Sequence, residues 1–258
     1  MTREYSGGRD PARSMALLWK TRERPSRGPK PGLSLEAIVQ AAIDLADREG
    51  LAVLSMRRVA DELGVGTMSL YRYVPNKSAL LDVMMDTVIG EPGPAERLPG
   101  GWRAQLEEAA RGELAFFRRH PWVLQVATGR PVLGPNELAA LEFMLGVVDG
   151  LGLSQPEMMG VVSLVDGYVR GMAQQFVDAA QAAQRTGVSD EQFWTAVGSG
   201  LEAAMREDRY PLLSKVEAKV FEQTEDELFE FGLQRVLDGV EALVEARASG
   251  DGRPARPQ

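Results

Sequence analysis

Cysteine is absent from this 258-residue sequence, and histidine occurs once, as His120. The lack of cysteine excludes disulfides and thiolate metal sites, and it fits a reducing compartment. One histidine beside Pro121, with no nucleophile motif, leaves little of the chemistry that enzymes use. We therefore expect that the protein is not an enzyme.

Long apolar runs and a secretion signal are also lacking. No stretch reaches the roughly 18 uninterrupted apolar residues that indicate a bilayer span. The N-terminus lacks the short basic region and apolar segment of a secretory signal. We therefore expect a cytoplasmic protein with no membrane partner.

Positive charge is scarce overall, since the net charge is −8, but its distribution is uneven. Residues 1–78 hold 13 basic and 9 acidic residues, whereas the remainder holds 16 basic and 28 acidic ones. A basic N-terminal third on an acidic body is typical of a small polyanion-binding head attached to something else. Charge alone leaves open that this asymmetry is scatter.

Apolar spacing predicts an all-α chain, with no alternating strand pattern and no repeat of fixed period. Ser34, Ser55 and Asn76 precede helical stretches as N-caps, while Gly50 and Gly64 stop two of them. The predicted helices span about 35–49, 56–63, 67–73, 77–89, 102–119, 121–128, 135–149, 155–184, 189–206 and 225–247.

The stretch GVGTMSLYRYVPNK, residues 64–77, carries the candidate functional motif. Two short helices joined by a tight turn form a helix-turn-helix, and the second helix directs side chains outward that reach base edges or phosphates. A phosphate loop is excluded because the lysine and the preceding strand of such loops are missing. A purely structural helical hairpin remains open on these residues alone. The expected outward side chains are Thr67, Ser69, Tyr71 and Arg72.

SLEAIVQAAIDLADREG and LSMRRVADELGVGTMSLYRYVPNKSALLDVMMD resemble the N-terminal domain of the tetracycline-repressor family of bacterial regulators. The resemblance covers about residues 34–86 and implies a three-helix DNA-binding head at 34–80, which displaces the structural hairpin. We expect Arg72 to contact guanine bidentately and Met68 to meet a thymine methyl. The DNA-binding residues that it implies are Ser55, Arg57, Thr67, Met68, Ser69, Tyr71, Arg72, Tyr73 and Lys77.

Beyond residue 101, GWRAQLEEAARGELAFFRRHPWVLQVATGRPVLGPNELAALEFMLGVVDGLGLS and FGLQRVLDGVEAL resemble the C-terminal domain of tetracycline repressors. The resemblance implies that the fourth helix joins the head to a larger helical body at 81–248, which binds a ligand and forms a homodimer. Two helices, about 156–183 and 226–246, would pair with their mates. Large apolar and aromatic residues with a few polar ones suggest the ligand site. The candidates are Phe116, Trp122, Arg130, Met144, Tyr168, Met172 and Gln175.

One departure from the resemblance concerns the metal. Tetracycline repressors place a histidine just before a GTRP-like turn to hold a drug–magnesium complex, whereas Val126 and Ala127 precede TGRP here. The single histidine, His120, is expected at a helix end and not at a ligand. We therefore predict no metal, no cofactor and no tetracycline binding.

We interpret the sequence as that of a repressor that binds a palindromic operator in double-stranded DNA as a homodimer and is released by a small, largely apolar effector. The alternative is a helix-turn-helix regulator without such a ligand, either architectural or controlled by a protein partner. Residues 1–33 are expected to be a disordered basic arm, and 249–258 a disordered tail. The arm either lies along DNA or stays solvated, and its basic residues before the first helix are Lys20, Arg22, Arg24, Arg27 and Lys30.

Overall fold

The computed structural model describes residues 4–5, 11–20, 33–93, 100–127, 131–205, 210–216 and 223–250. Most of the described residues lie in helices, which confirms the all-α prediction. None of the helices described is long and apolar enough to span a membrane. The helices are α1 (Pro11–Lys20), α2 (Leu35–Glu49), α3 (Met56–Glu62), α4 (Thr67–Leu70), α5 (Lys77–Ile89), α6 (Trp102–Arg119), α7 (Pro135–Val148), α8 (Gln155–Thr186), α9 (Asp190–Met205) and α10 (Glu225–Ala248).

Helices α2, α3 and α4 form a small N-terminal unit, here called the head. Ser34 Oγ accepts a hydrogen bond from the Ala37 amide at 3.2 Å, so the predicted N-cap starts α2. Gly50 ends α2 with a φ of +83°, a left-handed conformation that favours glycine. These two local signals set the bounds of α2 where the sequence predicts them.

Helix α5 connects the head to the remaining helices, here called the body (α6–α10). It packs against α1, α2 and α7, and most of its length is buried. In the body, α6 packs on α8, and α8 packs on α10. The apolar interior runs from the head through α5 into the body as one cluster.

Part of the expected disordered arm is a helix. Leu18 of α1 is only 1% exposed and belongs to the apolar interior, with Leu17 packed beside it. The physical reason is the apolar run Met15–Trp19, which covers α5 once it becomes helical. Residues 21–32, with Arg22, Arg24, Arg27 and Lys30, lie outside the described ranges, as does the expected tail from residue 251 onward.

The helix predicted at 121–128 is wrong. The chain forms a 3-10 turn at Pro121–Gln125 and then a two-residue strand, β2 (Val126–Ala127). This strand pairs in parallel with β1 (Glu4–Tyr5). An N-terminal partner far away in sequence therefore draws the segment into extended geometry, which local apolar spacing does not reveal.

Candidate nucleic-acid interface

The helix-turn-helix is built as the motif predicts. The Val65 amide donates to the Ala60 carbonyl at 3.0 Å, and Gly64 turns the chain with a φ of +64°. Val59, Ala60 and Leu70 are fully buried between the two helices. Because these side chains fix the crossing of α3 and α4, the remaining face of α4 points away from the core.

The second helix of the motif is shorter than the predicted 67–73. It ends at Leu70, whose carbonyl accepts hydrogen bonds from the Tyr73 and Val74 amides, both at 2.9 Å. Val74 precedes Pro75, and the residue before proline avoids helical geometry. Residues 71–73 consequently continue as a tight turn that carries their side chains on from α4.

The outward side of α4 and its turn exposes three chemically different groups. Met68 is 77% exposed and Tyr71 is 41% exposed, while the Arg72 guanidinium group is also exposed. Thr67 and Ser69 are half-buried beside them. This surface exposes the apolar side chain of Met68, the phenol of Tyr71 and the guanidinium of Arg72. In a major groove, apolar groups contact thymine methyls and guanidinium groups donate to guanine edges.

Tyr73 forms a hydrogen bond within its own chain. Its hydroxyl donates to the Leu33 carbonyl at 2.9 Å, and its ring packs against the apolar interior. Tyr73 therefore ties the end of the reading segment to the chain that enters α2. This bond gives Tyr73 a structural role, and its expected contact with DNA stays a prediction.

The residues expected to flank the reading face lie at two helix starts. Ser55 Oγ accepts from the Arg58 amide at 3.2 Å, so this hydroxyl starts α3, and Arg57 beside it is exposed. Lys77 is the first residue of α5, whose N-cap Asn76 accepts from the Ala79 amide at 2.9 Å. The helix dipole of α5 adds positive potential at Lys77, which favours a phosphate there.

The candidate ligand residues of the body differ in how far they are buried. Phe116, Met144 and Met172 are half-buried on α6, α7 and α8, three helices that pack on one another. Gln175 is exposed on α8. Arg130 lies outside the described residues. The helices that carry the three half-buried residues contact one another, and a ligand site at these residues stays a prediction.

Trp122 and Tyr168 make hydrogen bonds that link separate parts of the fold, and their expected place in a ligand site stays a prediction. The Trp122 indole donates to Asp47 Oδ1 of the head at 2.7 Å and is fully buried. The Tyr168 hydroxyl donates to the Phe229 carbonyl at 2.7 Å, and burial raises the pKa of Tyr168. The first bond ties the 3-10 turn to α2, and the second ties α8 to α10.

Sequence reasoning missed the buried carboxylate of Asp86 on α5. Its Oδ1 accepts from the amides of Asn136 and Glu137, at 2.9 and 3.0 Å, and so caps the N-terminus of α7. The Asn136 side-chain amide donates a hydrogen bond to the Asp86 main-chain carbonyl at 2.9 Å. One signal was available, because Gly134 precedes α7 where a capping side chain would normally stand.

Helix α10, which the resemblance implies would pair with its mate in a dimer, is partly buried by its own chain. Leu237 and Val240 are buried in the body of the same chain, and Gly232 lies against Tyr168. Phe231 is 66% exposed, and Leu228 is exposed beside it. On α8, Met159 and Leu164 are exposed as well.

Comparisons with known proteins agree with this architecture. Residues 38–84 match the family described as bacterial regulatory proteins of the tetR family, and residues 94–244 match the tetracyclin repressor-like C-terminal domain. The HTH-type transcriptional repressor DrrR1 of Streptomyces coeruleorubidus is 49% identical over 252 residues, covering 97% of this chain and 93% of DrrR1.

Solved structures give the same answer. The TetR family protein ActR of Streptomyces coelicolor, in complex with (S)-DNPA, has a TM-score of 0.65 and 29% identity, covering 83% of this chain and 99% of ActR. ActR in complex with actinorhodin has a TM-score of 0.62 and 28% identity, covering 81% and 96%. The chain therefore belongs to the TetR family of bacterial regulatory proteins and is a transcriptional repressor, not an enzyme.

Proposed function

We propose that this repressor binds a palindromic operator as a homodimer in the cytoplasm and is released by a small, largely apolar effector. Residues 34–80 would bind DNA, and residues 81–248 would bind the effector and the second copy. The observation that carries the proposal is the exposure of Met68, Tyr71 and Arg72. They lie on α4 and the turn after it, and the other side of α4 is buried in the core.

The exposed apolar side chains of α8 and α10 support the homodimer. Leu164 and Phe231 are large apolar residues left in solvent by their own chain. Large apolar side chains left exposed are typical of protein interfaces when they adjoin, and a two-fold axis would bury the same residues on both copies. Such a dimer would present two α4 helices to half-sites about one DNA turn apart.

The half-buried apolar side chains of α7 support an apolar effector. This helix is rich in large apolar residues, yet several of them are only half-buried, among them Leu138, Leu141, Phe143, Met144 and Leu145. A helix with such a composition normally buries these side chains. A bound apolar molecule against α7 would complete their burial, and the small organic ligands of ActR are consistent with this chemistry.

The capping contact between α5 and α7 supports a path from effector to DNA. Because Asp86 holds the first turn of α7, a displacement of α7 pulls on α5. Asn76 begins α5 immediately after the reading segment ends, so the same displacement reaches α4. An effector shifts this equilibrium only by the difference in its affinity for the two arrangements.

Arg72→Ala tests the reading face. We expect it to weaken binding to an operator selected from random DNA by about ten- to a hundredfold, the loss of one bidentate base contact, while binding to unrelated DNA changes little. The control is Arg48→Ala, which removes the same charge from the head where Arg48 pairs with Glu49 and Glu62. Equal operator affinities for both variants, measured by fluorescence anisotropy, would contradict the assignment.

A second experiment separates the effector-controlled repressor from a regulator without a ligand. Actinorhodin and other polycyclic aromatic compounds would be titrated against the protein–operator complex. We expect at least one of them to raise both the melting temperature of the free protein and the fraction of free operator. A broad apolar library that does neither would favour control by a protein partner.

A further inference from the structure

The single histidine of the chain lies where head, connecting helix and body meet. His120 follows α6 directly and is only 3% exposed. Its Nδ1 lies 2.8 Å from Asp47 Oδ1 of α2, and its Nε2 lies 3.0 Å from Glu91 Oε2, two residues beyond α5. Trp122 adds its indole donor to the same Asp47 carboxylate. These four residues are here called the joint.

The hydrogen bonds of the joint define the protonation state that completes it. A carboxylate only accepts, and a neutral imidazole carries a proton on one ring nitrogen. Both nitrogens of His120 face carboxylate oxygens, so only the doubly protonated ring donates to Asp47 and Glu91 together. The neutral ring would leave one carboxylate opposite a lone pair, and that contact would be lost.

Among the residues that the structure describes, two acids and one arginine are the charged groups that contact His120 or its partners. The charged groups placed against it are Asp47 from α2, Glu91 from the end of the connecting helix and Arg119 from α6, whose guanidinium lies 3.5 Å from Glu91. Arg119 partly balances Glu91 but does not reach Asp47 through any contact seen here. The two acids are therefore joined through His120.

We propose that His120 is a positioning residue that holds the head on the body while both ring nitrogens carry protons, so that loss of one proton loosens the head and weakens operator binding. This inference rests on the proposed operator-binding function. A dimer must present both reading helices at one spacing, and a head that is free to move binds with an added ordering cost. Operator affinity is therefore highest when both ring nitrogens carry protons and falls as pH rises.

The composition of the chain makes this inference unusually testable. Histidine is the side chain whose ordinary titration falls between about pH 5 and 8, and this sequence has one histidine and no cysteine. Glu113 is another described group, and its titration is the alternative explanation for a pH dependence of operator binding. Burial and the nearby Asp166 carboxylate raise the pKa of Glu113 well above its usual range.

The test compares operator affinity at about pH 6 and about pH 8, at constant ionic strength, using DNA selected with the full-length protein. We expect wild-type affinity to fall by about tenfold over this range, the value of one charge-assisted hydrogen bond. His120→Gln should bind weakly at both pH values and lose the pH dependence. Glu113→Gln should keep the wild-type profile. Trp122→Phe removes a donor that does not titrate, so it should lower affinity equally at both pH values.

Hydrogen exchange on the DNA-free protein provides a readout that does not need an operator. After correction for intrinsic rates, the last turn of α2 and residues 88–91 should exchange faster at the higher pH in the wild type but not in His120→Gln. If no DNA is selected, the proposed function fails while this measurement still tests the joint. Should His120→Gln not fold, Asp47→Asn, which removes the charge that the imidazolium faces, should show the same flat response. Identical pH responses in the wild type and these variants would overturn the proposal.

Discussion

At the scale of single residues, glycines show how closely two body helices meet. A Cβ atom on Gly232 of α10 would overlap the Tyr168 ring and hydroxyl. Gly232→Ala should therefore displace Tyr168, break its bond to the Phe229 carbonyl and lower the free energy of unfolding by about 1–3 kcal/mol, as overpacking does. Urea denaturation measures this change.

Gly112 of α6 provides the matched control, because a Cβ there has open space around it. Gly112→Ala should raise the free energy of unfolding by roughly 0.5–1 kcal/mol through better helix propensity. If both alanines shift stability in the same direction, the α8–α10 contact at Tyr168 is not as close as described.

Residues whose hydrogen-bond partners lie far away in sequence make contacts that sequence reasoning did not predict. The Tyr73 hydroxyl meets Leu33, 40 positions away, and the Trp122 indole meets Asp47, 75 positions away. Aromatic side chains at helical spacing give the same sequence pattern whether they line a ligand site or link two helices. By contrast, Tyr71 and Arg72 were predicted on the outward face and are exposed, because the apolar positions that fill the core determine that face.

At the scale of elements, α1 is the helix that local sequence does not predict. Its ten residues follow and precede Pro-, Gly- and Arg-rich stretches that predict disorder, and it is held by packing of its apolar side against α5. Helices with strong caps, such as α2 between Ser34 and Gly50, were predicted to the residue because a cap is a local signal. Helix α1 and the 3-10 turn at Pro121–Gln125 depend on tertiary contacts instead.

Leu18→Ala tests whether α1 belongs to the core in solution. Truncating a buried leucine costs about 2–5 kcal/mol, and a value near the lower end is expected because a terminal helix detaches locally. The next residue, Trp19, is exposed, so Trp19→Ala should stay within about 0.5 kcal/mol of wild type. Guanidinium unfolding curves that coincide for the two variants would mean that α1 does not dock on α5.

At the scale of the whole molecule, the uneven charge of the chain fits its two tasks. In the proposed function, the basic residues of the N-terminal third would meet phosphates, while the acidic body would be repelled by DNA. Head orientation and dimer contact would then act together, because a palindrome is recognised only when two heads are held at one spacing.

Phe231→Glu tests this dependence of DNA binding on the dimer. Phe231 is exposed in its own chain and the Arg235 guanidinium lies 5.5 Å from its ring, so a glutamate there gains an ion partner and the fold of the single chain should persist. Two copies related by a two-fold axis would instead bring two glutamates into an apolar contact, where unpaired charge is costly. We expect sedimentation velocity to show a monomer and operator affinity to drop to that of a half-site. Trp19→Glu, which places the same charge on an exposed aromatic of α1, should remain a dimer, and a dimeric Phe231→Glu protein would show that the copies meet through another surface.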